Sequence, residues 1–114
     1  MILVNVKATW RHVLAGRLSA AESTLGRWYR VPDARIEQYG DAIAGVFRGR
    51  IVSVFDIEDY TREDDERVTF VGSNSARWAH LVGTPTPDPW LPGLGRPVKY
   101  LDTDLLPTPR DRAA

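Results

Sequence analysis

Four short segments set a flat ring beside a positive charge: Trp10-Arg11, Arg27-Trp28-Tyr29-Arg30, Arg77-Trp78 and Lys99-Tyr100. Rings of this kind stack on nucleobases, at about 1–3 kcal/mol per base, while the neighbouring cation sits on a phosphate or on a ring face. Thirteen of the fifteen cations are Arg, whose planar guanidinium meets phosphate or carboxylate through two parallel hydrogen bonds. A GC-rich coding sequence also raises arginine content, so spacing must carry more weight than number. Strand alternation over 27–31 would put Trp28 and Arg30 on one face and Tyr29 and Val31 on the other, the second pair being the one expected in the core. Trp10, Arg11, Trp28, Arg30, Lys99 and Tyr100 are therefore the candidate ligand contacts.

Catalytic readings have less material. His12 and His80 are the only histidines, and no HxxxH or HxxE spacing sets either beside a second metal ligand. Asp56-Ile57-Glu58-Asp59 and Glu63-Asp64-Asp65-Glu66 invite a metal or a carboxylate pair, but a calcium loop needs a turn glycine, and none lies between Gly49 and Gly72. Gly93-Leu94-Gly95 lacks the Lys-Ser/Thr pair and the following helix of a phosphate loop. The chain has no Cys, which excludes a thiol nucleophile, a zinc finger and a disulfide framework. No catalytic residue, metal site or cofactor is assigned.

The elements that must position these residues read as follows. Ile2–Lys7 is rich in β-branched residues and predicts a strand. Thr9 can cap a helix whose apolar stripe is Leu14, Leu18, Ala21 and Leu25, with Gly26 as its stop. Arg27–Val31 predicts a short strand, and Asp33 caps a helix over Ala34–Tyr39 closed by Gly40. Two apolar runs, Ala42–Phe47 and Ile51–Ile57, flank Arg48-Gly49 and predict a hairpin at the centre of the sheet. On its arms Ala42, Ala44 and Val46 share one face, and Ile51, Phe55 and Ile57 are expected to share another. Asp56–Glu66 reads as an acidic loop, with its polar part at Thr61–Glu66. Arg67–Val71 is the next strand, Gly72–Ser75 a turn and Ala76–Val82 a helix ended by Gly83. Prolines and glycines from Thr84 to Gly95 exclude helix and central strand there, with Trp90 expected to fold back over a core edge. Val98–Leu101 is a last strand. About five strands and three short helices make the fold class α+β, with a strongly curved, mostly antiparallel sheet or a small open barrel.

A chain of 114 residues, 43% apolar and 26% charged, is one globular domain; residues 1–106 form it and 107–114 are a tail. The apolar start Met1–Val4 is too short for a signal peptide or a membrane helix, so a cytoplasmic protein without membrane attachment is expected. Fifteen basic and fifteen acidic groups cancel, which argues against a simple polycation on nucleic acid. The cancellation is uneven: residues 1–55 carry +4, residues 56–66 carry −6 and residues 67–114 carry +2. A basic face opposite an acidic segment is compatible with that pattern.

The order of landmarks is also informative: Trp10-Arg11 after a first strand, Gly26-Arg27-Trp28-Tyr29-Arg30-Val31, the hairpin Ala42–Ile57, then Phe70-Val71-Gly72 and Pro97-Val98-Lys99-Tyr100. It resembles a small bacterial and phage domain found alone or beside nuclease and restriction-type modules, and is similar in layout to PUA-like folds. That resemblance implies pocket or core roles for Trp28, Arg30, Phe70 and Tyr100, and a class whose members bind RNA or modified bases. The leading expectation is a non-catalytic module that binds a nucleotide signal or a nucleic-acid base by aromatic stacking and Arg contacts. In a phage setting it would sequester a host immune nucleotide. The alternative is a protein-interaction module or inhibitor that turns Asp56–Glu66 toward a basic partner. A metal-dependent nuclease or hydrolase is the third reading, and it lacks ligand spacing. A homodimer is expected as the commonest assembly.

Overall fold

A computed structural model describes residues 1–90 and 95–106. Five strands form one open sheet: β1 (Ile2–Asn5), β2 (Ala42–Phe47), β3 (Arg50–Arg62), β4 (Val68–Asn74) and β5 (Val98–Tyr100). Three helices, α1 (Trp10–Leu14), α2 (Ala20–Leu25) and α3 (Asp33–Tyr39), lie between β1 and β2. The spatial order is β4-β3-β2-β1-β5, with β1 parallel to β2 and every other pairing antiparallel. A parallel pair needs a long crossover, and the three helices supply it. The fold is thus α+β with a mixed sheet, open at the β4 and β5 edges.

Each face of the sheet is covered by a different part of the chain. Ile2, Val4, Ile43, Phe55, Val68, Phe70 and Val98 face the helical layer, where Trp10, Val31 and Ile36 close over them. Met1, Leu3, Ala42, Ala44, Val46, Ile51 and Val54 face the other way, against Trp78, Leu81, Leu101 and Leu106. Trp90 packs on the edge of this second cluster, as its place among prolines suggests.

The hairpin forms where the sequence puts it. Arg48 (φ 51°) and Gly49 (φ 77°) both take the positive φ that a tight two-residue turn requires. Its second arm does not keep simple alternation. A bulge between Gly45 and Val46 pairs Val46 with Ile51 but Gly45 with Ser53, so Val52 is the extra residue. Ile51 therefore joins Val54 on one face while Phe55 lies on the other, separating residues expected together.

Several segments differ from expectation for local reasons. One helix from Thr9 to Gly26 is instead two. Gly16 takes φ 74° and ends the first, and Ser19 restarts the second with a capping box to Glu22. Leu14, expected on the apolar stripe, is 71% exposed. Asp33 begins α3 rather than capping it, since Pro32 is the N-cap. The acidic stretch is mostly strand: β3 runs through Arg62, so only 63–67 form a turn. Strand β4 continues to Asn74, past the expected turn at Gly72, and the helix at 76–82 is a 3₁₀ turn, Ala79–Leu81. Residues 91–94, with most of Gly93-Leu94-Gly95, and the tail 107–114 lie outside the described residues.

Helix α2 is fixed by hydroxyl pairs. Thr24 Oγ1 and Ser53 Oγ are 2.6 Å apart in the interior, and Ser23 Oγ is 2.6 Å from Thr9 Oγ1. Gly45 makes the first pair possible, because a Cβ there would meet both the Ser53 and Thr24 hydroxyls.

Candidate ligand cleft

Arg27–Val31 is not a strand. Arg27 (φ 44°) and Arg30 (φ 57°) are both left-handed, a conformation that costs a side-chain-bearing residue about 1–2 kcal/mol. Only Trp28 pairs in ladder fashion, exchanging both backbone hydrogen bonds with Val68 at 2.8 and 2.9 Å. The two reversals break the alternation on which the side-chain assignment rested. Val31 is buried as expected, but Tyr29 is 49% exposed, while Trp28 is half-buried against the core. The Trp28 indole Nε1 donates to Thr24 O at 2.9 Å.

Strong contacts hold this strained segment. Arg27 donates two hydrogen bonds to Glu63, at 3.1 and 2.7 Å. Arg62 reaches across from β3 to donate to Val31 O (2.7 Å) and Asp33 Oδ1 (2.6 Å), and the Tyr60 hydroxyl donates to the same oxygen at 2.9 Å. Hydrogen bonding to the Arg62 guanidinium and the Tyr60 hydroxyl holds the Asp33 carboxyl below its ordinary pKa, and the same bond raises that of Tyr60. Arg67 pairs with Asp65 at 2.9 Å and lies over the Tyr29 ring at 4.8 Å. The acidic hairpin end thus meets three arginines of its own chain.

Arg30 is thereby placed at a cleft that follows the outer edge of β5. One lobe, about 750 Å³, is lined by Arg30, Pro32 and Arg35 together with Asp88, Pro89 and Arg96. Val98, Lys99 and Tyr100 form its floor. An adjoining lobe of about 680 Å³ shares Arg30, Arg96, Val98 and Tyr100 and adds Tyr29. Arg35 stands 5.4 Å from the Tyr100 ring centre, and Tyr39 backs the same ring at a centroid distance of 5.4 Å. The Tyr100 hydroxyl is buried without a hydrogen-bond partner among the described residues. Burial raises its pKa, against a smaller lowering by Arg35 and Arg96.

The charges in the cleft are of two kinds. Lys99 is engaged: its Nζ lies 3.1 Å from Asp88 Oδ1, 3.0 Å from Pro89 O and 4.9 Å from the Trp90 ring centre. Arg30, Arg35 and Arg96 have no carboxylate partner among the described residues. Three guanidiniums lining one cleft, beside the exposed Tyr29 ring and the half-buried Tyr100 ring, make a site for an anion carrying a flat group.

Of the residues singled out from sequence, the fold brings Arg30, Lys99 and Tyr100 to this cleft. Trp10 (8% exposed) and Phe70 (2%) are core side chains, and Trp28 supports the segment from behind. Arg11 is exposed on α1 and does not line the cleft. Tyr29, Arg35 and Arg96 were missed. Arg35 lies in the first turn of α3 with no aromatic neighbour in sequence, so only the docking of α3 beside β5 reveals it. Among the described residues no group of three or more His, Asp or Glu is placed to hold a metal, and no helix is long and apolar enough to cross a membrane. Compared with protein-family models, with curated proteins and with solved structures, the chain finds no match in any of the three.

Proposed function

We propose that this protein is a non-catalytic module that binds a nucleotide-like ligand in the cleft along β5. The observation that carries the reading is the convergence of Arg30, Arg35 and Arg96, none with a carboxylate partner among the described residues, around the Tyr100 ring. Guanidiniums left free in a concave site favour phosphate over a neutral ligand. The half-exposed ring of Tyr29 provides a face for a base, and Tyr100, already packed by Arg35 and Tyr39, holds Arg35 at the cleft. On this reading the acidic hairpin is a brace for the Arg27–Val31 segment rather than a surface for a basic partner. A PUA-like relationship and a role in sequestering a signalling nucleotide belong to the same proposal.

A thermal-shift panel tests it, using mononucleotides, cyclic dinucleotides and short oligonucleotides. A ligand at about 100 times its dissociation constant adds about 2.7 kcal/mol to stability, a shift of about 10 °C or more for a domain of this size. Silence from every nucleotide would remove the reading.

A further inference from the structure

β5, which lines the cleft, is the outermost strand of the sheet among the described residues, and the register shows which backbone groups it presents. At one end of the β1–β5 ladder, the Met1 amine donates to Leu101 O and Leu101 N donates to Met1 O, both at 2.8 Å. At the other end Asn5 N donates to Pro97 O at 2.8 Å. Between them the partners are Ile2–Tyr100, Leu3–Lys99 and Val4–Val98. Hydrogen-bonded and non-bonded pairs alternate in an antiparallel ladder, so Lys99 turns its N–H and C=O toward β1. Val98 and Tyr100 must turn theirs away from it. β5 is the last strand of the sheet, and neither residue has a backbone partner on that side among the described residues. Both line the two lobes of the cleft.

We infer that the outward N–H and C=O of Tyr100 read the hydrogen-bonding edge of the ligand's base, so that the cleft selects among nucleosides rather than accepting any phosphate. This rests on the nucleotide reading above and adds the part of the ligand that is recognised. An outward-facing strand residue offers one donor beside one acceptor, the complement of the donor–acceptor edge of a nucleobase. With the base on this edge, Arg30, Arg35 and Arg96, which line the same cleft, are the groups for the phosphate. Among the described residues this edge of β5 is unpaired, and free edges invite pairing, a need that a base on the edge would meet.

The test is titration of the intact chain with the four nucleoside 5′-monophosphates, ribose 5-phosphate and a short acidic peptide. Each is measured against the unaltered protein, Tyr100→Ala and Tyr100→Pro. Proline removes an N–H that faces away from the ladder, so no sheet hydrogen bond is lost. At least one monophosphate is expected to bind about tenfold or more tighter than ribose 5-phosphate. Base preference should persist in Tyr100→Ala and vanish in Tyr100→Pro. If the proline variant does not fold, amide hydrogen exchange decides the point: the Tyr100 amide should exchange fast in the free protein and become protected with the preferred nucleotide, while that of Lys99 is slow throughout. Equal binding of all nucleotides and ribose 5-phosphate, or an unprotected Tyr100 amide in the complex, would overturn base reading and leave nucleotide binding standing. Binding of the acidic peptide alone would overturn both.

Discussion

Arg35 and Tyr100 meet across the boundary between the helical layer and the sheet edge, guanidinium over ring, 5.4 Å from the ring centre. The contact couples α3 to β5, and Arg35 has no carboxylate ion-pair partner among the described residues. A cation over the face of a tyrosine is worth about 0.5–1 kcal/mol at an exposed site. Arg35→Ala should therefore lower stability by no more than about 1 kcal/mol while weakening nucleotide binding far more. Denaturant melts alongside a binding titration would separate the two effects, and parallel losses would argue against a ligand role for Arg35.

Arg30 is left-handed, with no ion-pair partner among the described residues. Glycine would relieve strain of about 1–2 kcal/mol, partly offset by about 0.5–1 kcal/mol of extra freedom in the unfolded chain. Arg30→Gly is expected to raise stability by up to about 1 kcal/mol and to lose binding. Such a trade-off marks backbone strain held for function. A variant less stable than the parent would show instead that the Arg30 side chain supports the fold.

How much of this was legible from residue order depended on the kind of feature. The Arg48-Gly49 hairpin was readable because a turn glycine and two apolar arms carry local signals. The bulge that sends Ile51 and Phe55 to opposite faces leaves no such mark, since Val52 looks like any strand residue. β3 was underestimated because its outer half has no fully buried residue and carries Asp56, Glu58, Asp59 and Arg62 among its few apolar positions. At the site, Arg30 and Lys99-Tyr100 were visible as ring–cation neighbours. Tyr29 was misassigned because alternation was assumed through two left-handed arginines. Arg35 and Arg96 come from different layers, and only the tertiary fold brings them together.

Gly45 offers a test of the packing beneath α2. Gly45→Ala would push a methyl group into the Thr24–Ser53 hydroxyl pair, and overpacking of this kind costs about 1–3 kcal/mol. Thr24→Val, which leaves Ser53 without its buried partner, should cost about 1–3 kcal/mol. Chemical denaturation of both variants checks the account, and a neutral Gly45→Ala would contradict the close approach.

The pH dependence follows from two groups of opposite sign. Asp33 is held below its ordinary pKa by Arg62 and Tyr60, so its contribution is present above the unfolded carboxylate range and is lost as pH falls through the depressed folded value. Tyr100 is raised by burial above the ordinary value of 10.0, so its contribution is complete below that pH and is lost as pH rises through the folded value. Melting temperature against pH should lose less on the acid side in Asp33→Asn. Ultraviolet titration should lose its latest phenol steps in Tyr100→Phe and Tyr60→Phe; an unchanged alkaline curve in both would refute the assignment.

The most direct measurement is calorimetric titration, with the nucleotide that gives the largest thermal shift, of the unaltered protein and of Arg30→Ala, Arg96→Ala and Arg11→Ala. All three variants should melt within about 1 kcal/mol of the parent, as exposed positions do. Loss of a charged hydrogen bond to the ligand is worth about 1.5–3 kcal/mol, so Arg30→Ala and Arg96→Ala should each bind about tenfold or more weakly. Arg11→Ala, outside the cleft, should bind as the parent does. Unchanged affinity in both cleft variants would contradict a phosphate site along β5.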